Sequence, residues 1–114
     1  NNLYAYKNKK ITNVNHLKNT LRTLYCDGNC GIDQKGISKL KKLNILYACD
    51  NNKITNVNHL KNTLRTLYCI GNCGINQYGI SELKILNALF ALNNNKIINV
   101  DHLKNTLKIR CTEQ

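Results

Sequence analysis

The sequence predicts an α/β repeat solenoid of about five stacked turns, each 21–22 residues long. A parallel β-sheet would line the concave side, and short helical or 3-10 segments the convex side. Three observations predict this. Residues 10–26, KITNVNHLKNTLRTLYC, recur unchanged at 53–69. A third, drifting copy, KIINVDHLKNTLKIRC, starts at Lys96. Each 43-residue block then divides into two shorter units, and a fixed short period is the signature of stacked repeat architectures.

The units align on Leu-x-x-Leu-x-(Ala/Cys)-x-x-Asn. The four full copies are Leu21-Leu24-Cys26-Asn29, Leu43-Leu46-Ala48-Asn51, Leu64-Leu67-Cys69-Asn72 and Leu86-Leu89-Ala91-Asn94. A partial first unit supplies Leu3, Ala5 and Asn8. The five Asn positions step by 21, 22, 21 and 22, and Ile follows each Asn by three, from Ile11 to Ile97. Across nearly the whole chain this resembles the leucine-rich-repeat family, whose core motif is LxxLxLxxNxL. The third apolar position departs from that motif, being Ala or Cys here. The Asn-rich, freshly duplicated style is similar to leucine-rich-repeat proteins of giant amoebal, mimivirus-like viruses. The resemblance implies a single repeat domain over 1–114, built to bind partners.

The residues themselves support that architecture. In Leu24-Tyr25-Cys26 the side chains alternate, as a strand requires, with Leu24 and Cys26 inward and Tyr25 outward. One unit cannot bury its Leu face alone, so units must stack, about 4.8 Å apart, into a parallel sheet over a continuous core. Asn8, Asn29, Asn51, Asn72 and Asn94 would form a structural ladder, each amide satisfying buried backbone groups of neighbouring units. The return arm should be one or two helical turns, capped by Asn15, Ser38, Asn58, Ser81 and Asp101, all favoured N-cap residue types. Val14, Leu17 and Leu21 give its apolar face. Gly31, Gly36, Gly74 and Gly79 occur only in alternate units, which should be looser there. Near the C-terminus Arg110 falls on a core Leu position, so the last unit is expected to be degenerate.

The outward strand row reads Tyr4, Tyr25, Tyr47, Tyr68 and Phe90: one aromatic ring per unit, spaced to stack. The next row, Tyr6, Asp27, Cys49, Ile70 and Leu92, grows more apolar along the chain. On the other side lie Asn2, Thr23, Ile45, Thr66 and Ala88. An exposed strip of Tyr, Phe, Ile and Leu on an open solenoid face points to a protein contact.

Other repeating residues are read as structural. His16, His59 and His102 recur every 43 residues. That places them about 10 Å apart, beyond shared metal coordination, so they are expected to be solvated. Cys26 and Cys69 are likewise about 10 Å apart, too far for a disulfide. The six Cys read as small hydrophobes in a reducing compartment.

Lys plus Arg is 17 against 6 Asp plus Glu, a net charge of +11. Rows of Lys could follow a phosphate backbone. They lie off the aromatic strip, however, which argues against a combined stacking-plus-phosphate groove. No close pair of acids, Gly-rich phosphate loop, nucleophile–base pairing or cofactor motif is present, so neither an enzyme, a metal nor a cofactor is expected. No apolar run approaches the roughly 18 residues of a membrane helix. The chain lacks a signal pattern and starts inside a repeat without Met, which predicts a fragment or processed piece of an intracellular protein, in host cytoplasm or a virion if viral.

The expected function is non-enzymatic protein binding through the aromatic strip. The alternatives are a self-associating structural protein, such as a virion component, and a basic nucleic-acid-binding scaffold.

Overall fold

The computed structural model describes residues 1–112; of the domain span 1–114, the last two positions lie outside the described residues. One sheet of six parallel strands runs in sequence order: β1 (Asn2–Tyr4), β2 (Thr23–Tyr25), β3 (Ile45–Tyr47), β4 (Thr66–Tyr68), β5 (Ala88–Phe90) and β6 (Ile109–Cys111). Between successive strands sits one short 3-10 helix: η1 (Asn15–Leu17), η2 (Lys35–Ile37), η3 (Asn58–Leu60), η4 (Tyr78–Ile80) and η5 (Asp101–Leu103). Each strand with the 3-10 helix after it is one unit, and the repeated parallel strands fit a repeat solenoid. The sixth strand exceeds the five units expected. It forms although Arg110 replaces Leu, because pairing needs backbone groups rather than an apolar side chain. All three of its residues are exposed.

The register is in line throughout. Leu3, Leu24, Leu46, Leu67, Leu89 and Arg110 stand opposite one another in succession. The ladder continues past the strands, where Cys26 N–H donates to Tyr47 O at 2.9 Å and Ala48 N–H to Tyr68 O at 2.8 Å. The inward Leu, Ile and Val side chains of strand and return arm form one core. Leu24, Ile37, Leu46, Ile54, Leu67 and Ile80 are all fully buried.

The return arms start differently from the expectation. Asn15 and Asn58 do not cap their helices. Asn13, Asn56 and Asn99 do the local work, each Oδ1 accepting the N–H two residues on at 2.8–2.9 Å. In the even units Asp33 and Asn76 accept from Gly36 and Gly79 N–H at 2.8 Å, so η2 and η4 begin ahead of Ser38 and Ser81. Those two serines close the helices at their C-terminal ends, donating to Lys35 O and Tyr78 O. Asp101 opens η5 with no side-chain cap bond. Asn15 and Asn58 are instead used between units. Asn15 Nδ2 donates to Lys35 O at 2.9 Å, and its Oδ1 accepts Lys39 N–H at 2.8 Å. Asn58 repeats both bonds with Tyr78 O and Glu82 N–H.

Even units reach forward by another residue. Gln34 Oε1 accepts Thr55 and Asn56 N–H while its Nε2 donates to Asn56 O at 2.8 Å. Gln77 does the same to Ile98 and Asn99.

The glycines mark tight contacts, not loose ones. A Cβ on Gly36 would lie 2.0 Å from Thr12 O, and one on Gly79 2.0 Å from Thr55 O. Val14 N–H donates to Gly36 O in the same contact. We expect Gly36→Ala to cost about 1–3 kcal/mol by overpacking. Gly28 has φ +69° and open space around it, and Asp50 holds the corresponding place with φ 59°. Gly28→Asn should therefore stay within about 0.5 kcal/mol. Urea unfolding of the two variants measures the contrast.

Candidate functional site

The side of the sheet away from the core is covered by no other described element. Its central row is the aromatic ladder. Parallel in-line pairing puts each ring directly against the next, and the rings stack face to face. Centroid separations are 4.3, 4.2, 4.2 and 4.4 Å from Tyr4 to Phe90, with planes within 12°. Ring faces are therefore spent on one another. Ring edges and the hydroxyls of Tyr4, Tyr25, Tyr47 and Tyr68 are left on the outward side of the row. Burial, with the flanking Tyr25 and Tyr68 phenols, pushes the Tyr47 phenol above its ordinary range. The four hydroxyls together form a rail along the row.

The flanking rows divide. Ile70 and Leu92 are half-buried beside the ladder. Tyr6 is exposed, its ring under the Lys7 ammonium at 5.3 Å from the centroid. Asp27 is a backbone clasp, its Oδ1 accepting Cys49 N–H at 2.8 Å. Asp50 clasps Asn72 N–H in the same way. Burial, opposed by the Cys49 N–H and aided by the Asp50 charge, raises the Asp27 carboxyl. These two acids line an open hollow of about 830 Å³ with Tyr6, Lys7, Cys49 and Asn72. On the other flank Ala88 is buried, so that row is less exposed at its far end than expected.

The Asn ladder exists in alternate units only. Asn51 is fully buried, with Nδ2 donating to Cys26 O at 2.8 Å and Ile32 O at 3.2 Å. Asn94 repeats this on Cys69 O and Ile75 O. Asn8 keeps the local half of the motif, its Oδ1 accepting Lys10 and Ile11 N–H. Asn29 and Asn72 are exposed. In those units the next residue, Cys30 or Cys73, takes the buried place, and Cys30 Sγ donates to Cys26 O at 3.2 Å. The readable signal is the residue after each Asn. It is polar after Asn8, Asn51 and Asn94 but Cys after Asn29 and Asn72.

The neighbouring Cys26 thiol holds Cys30 down to about 7, helped by the Ile32 N–H and the Lys53 ammonium and opposed by burial. Cys30 in turn, together with burial, raises Cys26. All six cysteines are free; Cys26, Cys30, Cys69 and Cys73 are buried.

Two of the three histidines are not simply solvated, while His16 is exposed as expected. His59 Nε2 lies 3.0 Å from Ile37 O and His102 Nε2 3.1 Å from Ile80 O, each joining its unit to the one before. Burial lowers the His59 imidazole, with the Ile37 carbonyl opposing. Among the described residues no group of three or more His, Cys, Asp or Glu side chains could hold a metal ion. No described helix is long and apolar enough to cross a membrane.

No protein-family model matches the chain, nor does any curated protein or solved structure.

Asn51→Ala would take the amide donor from Ile32 O and leave Cys26 O with only the Cys30 thiol, and should cost about 1–3 kcal/mol. Asn29→Ala, at an exposed position, should stay within about 0.5 kcal/mol. Chemical denaturation of the two variants reads the difference; equal effects would contradict the alternation.

Proposed function

We propose that the chain is a leucine-rich-repeat module without catalytic activity that binds a protein partner on the open face of its sheet. One observation supports this most: five aromatic side chains run without a break along a face that no other described element covers. Because the rings hold one another, ordering them on binding costs little side-chain entropy. Large, rigid, amphipathic Tyr surfaces are economical recognition elements for that reason. Ile70 and Leu92 extend the strip with apolar area at one end, and Tyr6 and Asp27 give the other end a polar margin. The hydroxyl rail supplies direction through hydrogen bonds. In this reading Asp27 and Asp50 are structural, each holding a backbone N–H of the next unit.

The test is the double variant Tyr25→Ser with Tyr68→Ser. It removes two rings and with them every stacked pair of the ladder, costing roughly 0.5–1.5 kcal/mol for each pair. Circular dichroism first checks that the variant is folded. A partner isolated on the immobilised protein should then bind the variant at least about 30-fold more weakly, which corresponds to a hot spot of about 2 kcal/mol. Unchanged affinity in a folded variant would make the ladder a purely structural device.

A further inference from the structure

The charge of this chain is segregated. The return arms, residues 15–22, 35–44, 58–65, 78–87 and 101–108, hold eleven Lys and Arg against two acids, a balance of +9 within the chain's net +11. The sheet's outward rows from Asn2 to Phe90 hold no cation at all. Of the arm cations, Lys18, Lys39, Lys84 and Lys104 are exposed, as are Lys41 and Lys42. Among the described residues one ion pair forms, Lys61 with Glu82 at 3.5 Å, so the other arm cations are left to solvent and counterions. Stacked units bring these like charges close together, and that repulsion is relieved when a polyanion replaces the counterions.

A second observation selects the polyanion. Tyr78 stands in η4 at the place that Lys35 occupies in η2. It is 71% exposed and belongs to no ring stack. Nothing in the fold requires an aromatic there, since unit 2 folds around lysine. The ladder rings have no free faces between them, whereas the Tyr78 ring stacks on no other ring and is largely exposed. An exposed aromatic on a basic surface, here with Arg65, Lys84, Lys104 and Lys108 against Glu82 and Asp101 on its own and the adjoining arms, is the arrangement that binds single-stranded nucleic acid: cations track the backbone and the ring stacks a base.

We propose that the return-arm surface binds single-stranded nucleic acid, with Tyr78 stacking on a base and the arm lysines neutralising phosphates. This surface lies across the core from the aromatic strip, so the two sites act independently.

The probe is a fluorescein-labelled oligo(dT) of about twenty nucleotides, long enough to span the arms, followed by anisotropy. If about five phosphates are neutralised, affinity should fall on the order of 100-fold between about 50 and 200 mM salt. Tyr78→Ala should weaken binding about 10-fold at fixed salt without changing the salt slope, and Tyr78→Phe should restore it. Tyr78→Lys, which copies unit 2 and so keeps the fold, should steepen the slope while losing preference for the single strand over a duplex. Lys39→Ala with Lys41→Ala and Lys42→Ala should flatten the slope. Tyr25→Ser with Tyr68→Ser should leave oligonucleotide binding unchanged, which separates this site from the sheet face. The proposal is overturned if the oligonucleotide does not bind at low salt, or if Tyr78→Ala and Tyr78→Lys bind like the parent. Equal binding of a duplex or polyglutamate, or retention on phosphatidylserine vesicles alone, overturns it as well.

Discussion

In-line parallel register governs this molecule. Each residue lies against its own counterpart one unit away, at strand spacing, for the length of the sheet. A position is therefore chosen by how well its side chain tolerates neighbours of its own kind. Leu on Leu buries apolar surface, and Tyr on Tyr stacks. A charge on its own copy repels. The strands accordingly carry no charge until Arg110, and the lysines sit on the arms, where longer side chains can spread apart. The open face and the basic arms are two results of the same restriction.

A second layer of order alternates with period two. Odd units reach forward with Asn15 and Asn58, even units with Gln34 and Gln77, while Asn51, Asn94, His59 and His102 reach back. These amides and imidazoles bond to backbone atoms of the adjacent unit. They satisfy polar groups that the return arm, lacking a continuous helix or strand, leaves without partners. The close glycine contacts belong to the same scheme: backbone meets backbone there, with no room for Cβ.

Much of this is legible in the sequence. The repeat, its phase, the strand positions, the inward Leu rows and the aromatic row all come from one alignment, because period-two alternation and self-stacking leave few choices. Everything that distinguishes odd units from even escapes that alignment. Asn29 and Asn51 align perfectly, yet one faces water and the other is buried, because Cys30 competes for the inner place. Ser38 and Asn15 both read as N-caps, but Asp33 and Asn13 lie nearer the N–H groups that need acceptors. The glycines suggest freedom within a single unit and signal crowding between two, since the neighbouring backbone sets the difference. Tyr78 falls outside the aligned aromatic row, so only the placement of the arm opposite the sheet reveals its exposure.

The alternation restricts how such a chain can grow. An odd unit's outgoing amide is shaped for an even neighbour, and an even unit's glutamine clamp for an odd one. Inserting one unit would set like beside like and strand both kinds of clamp. Inserting two preserves every junction. The smallest viable copying event is therefore the 43-residue pair, and the unaltered recurrence of residues 10–26 at 53–69 has that length. Asp101, standing where Asn15 and Asn58 stand, has traded the amide donor for a carboxylate. The third copy thus keeps the acceptor but lacks the donor with which its predecessors grip the next unit, and in heredity as in packing it is where the pattern starts to fade.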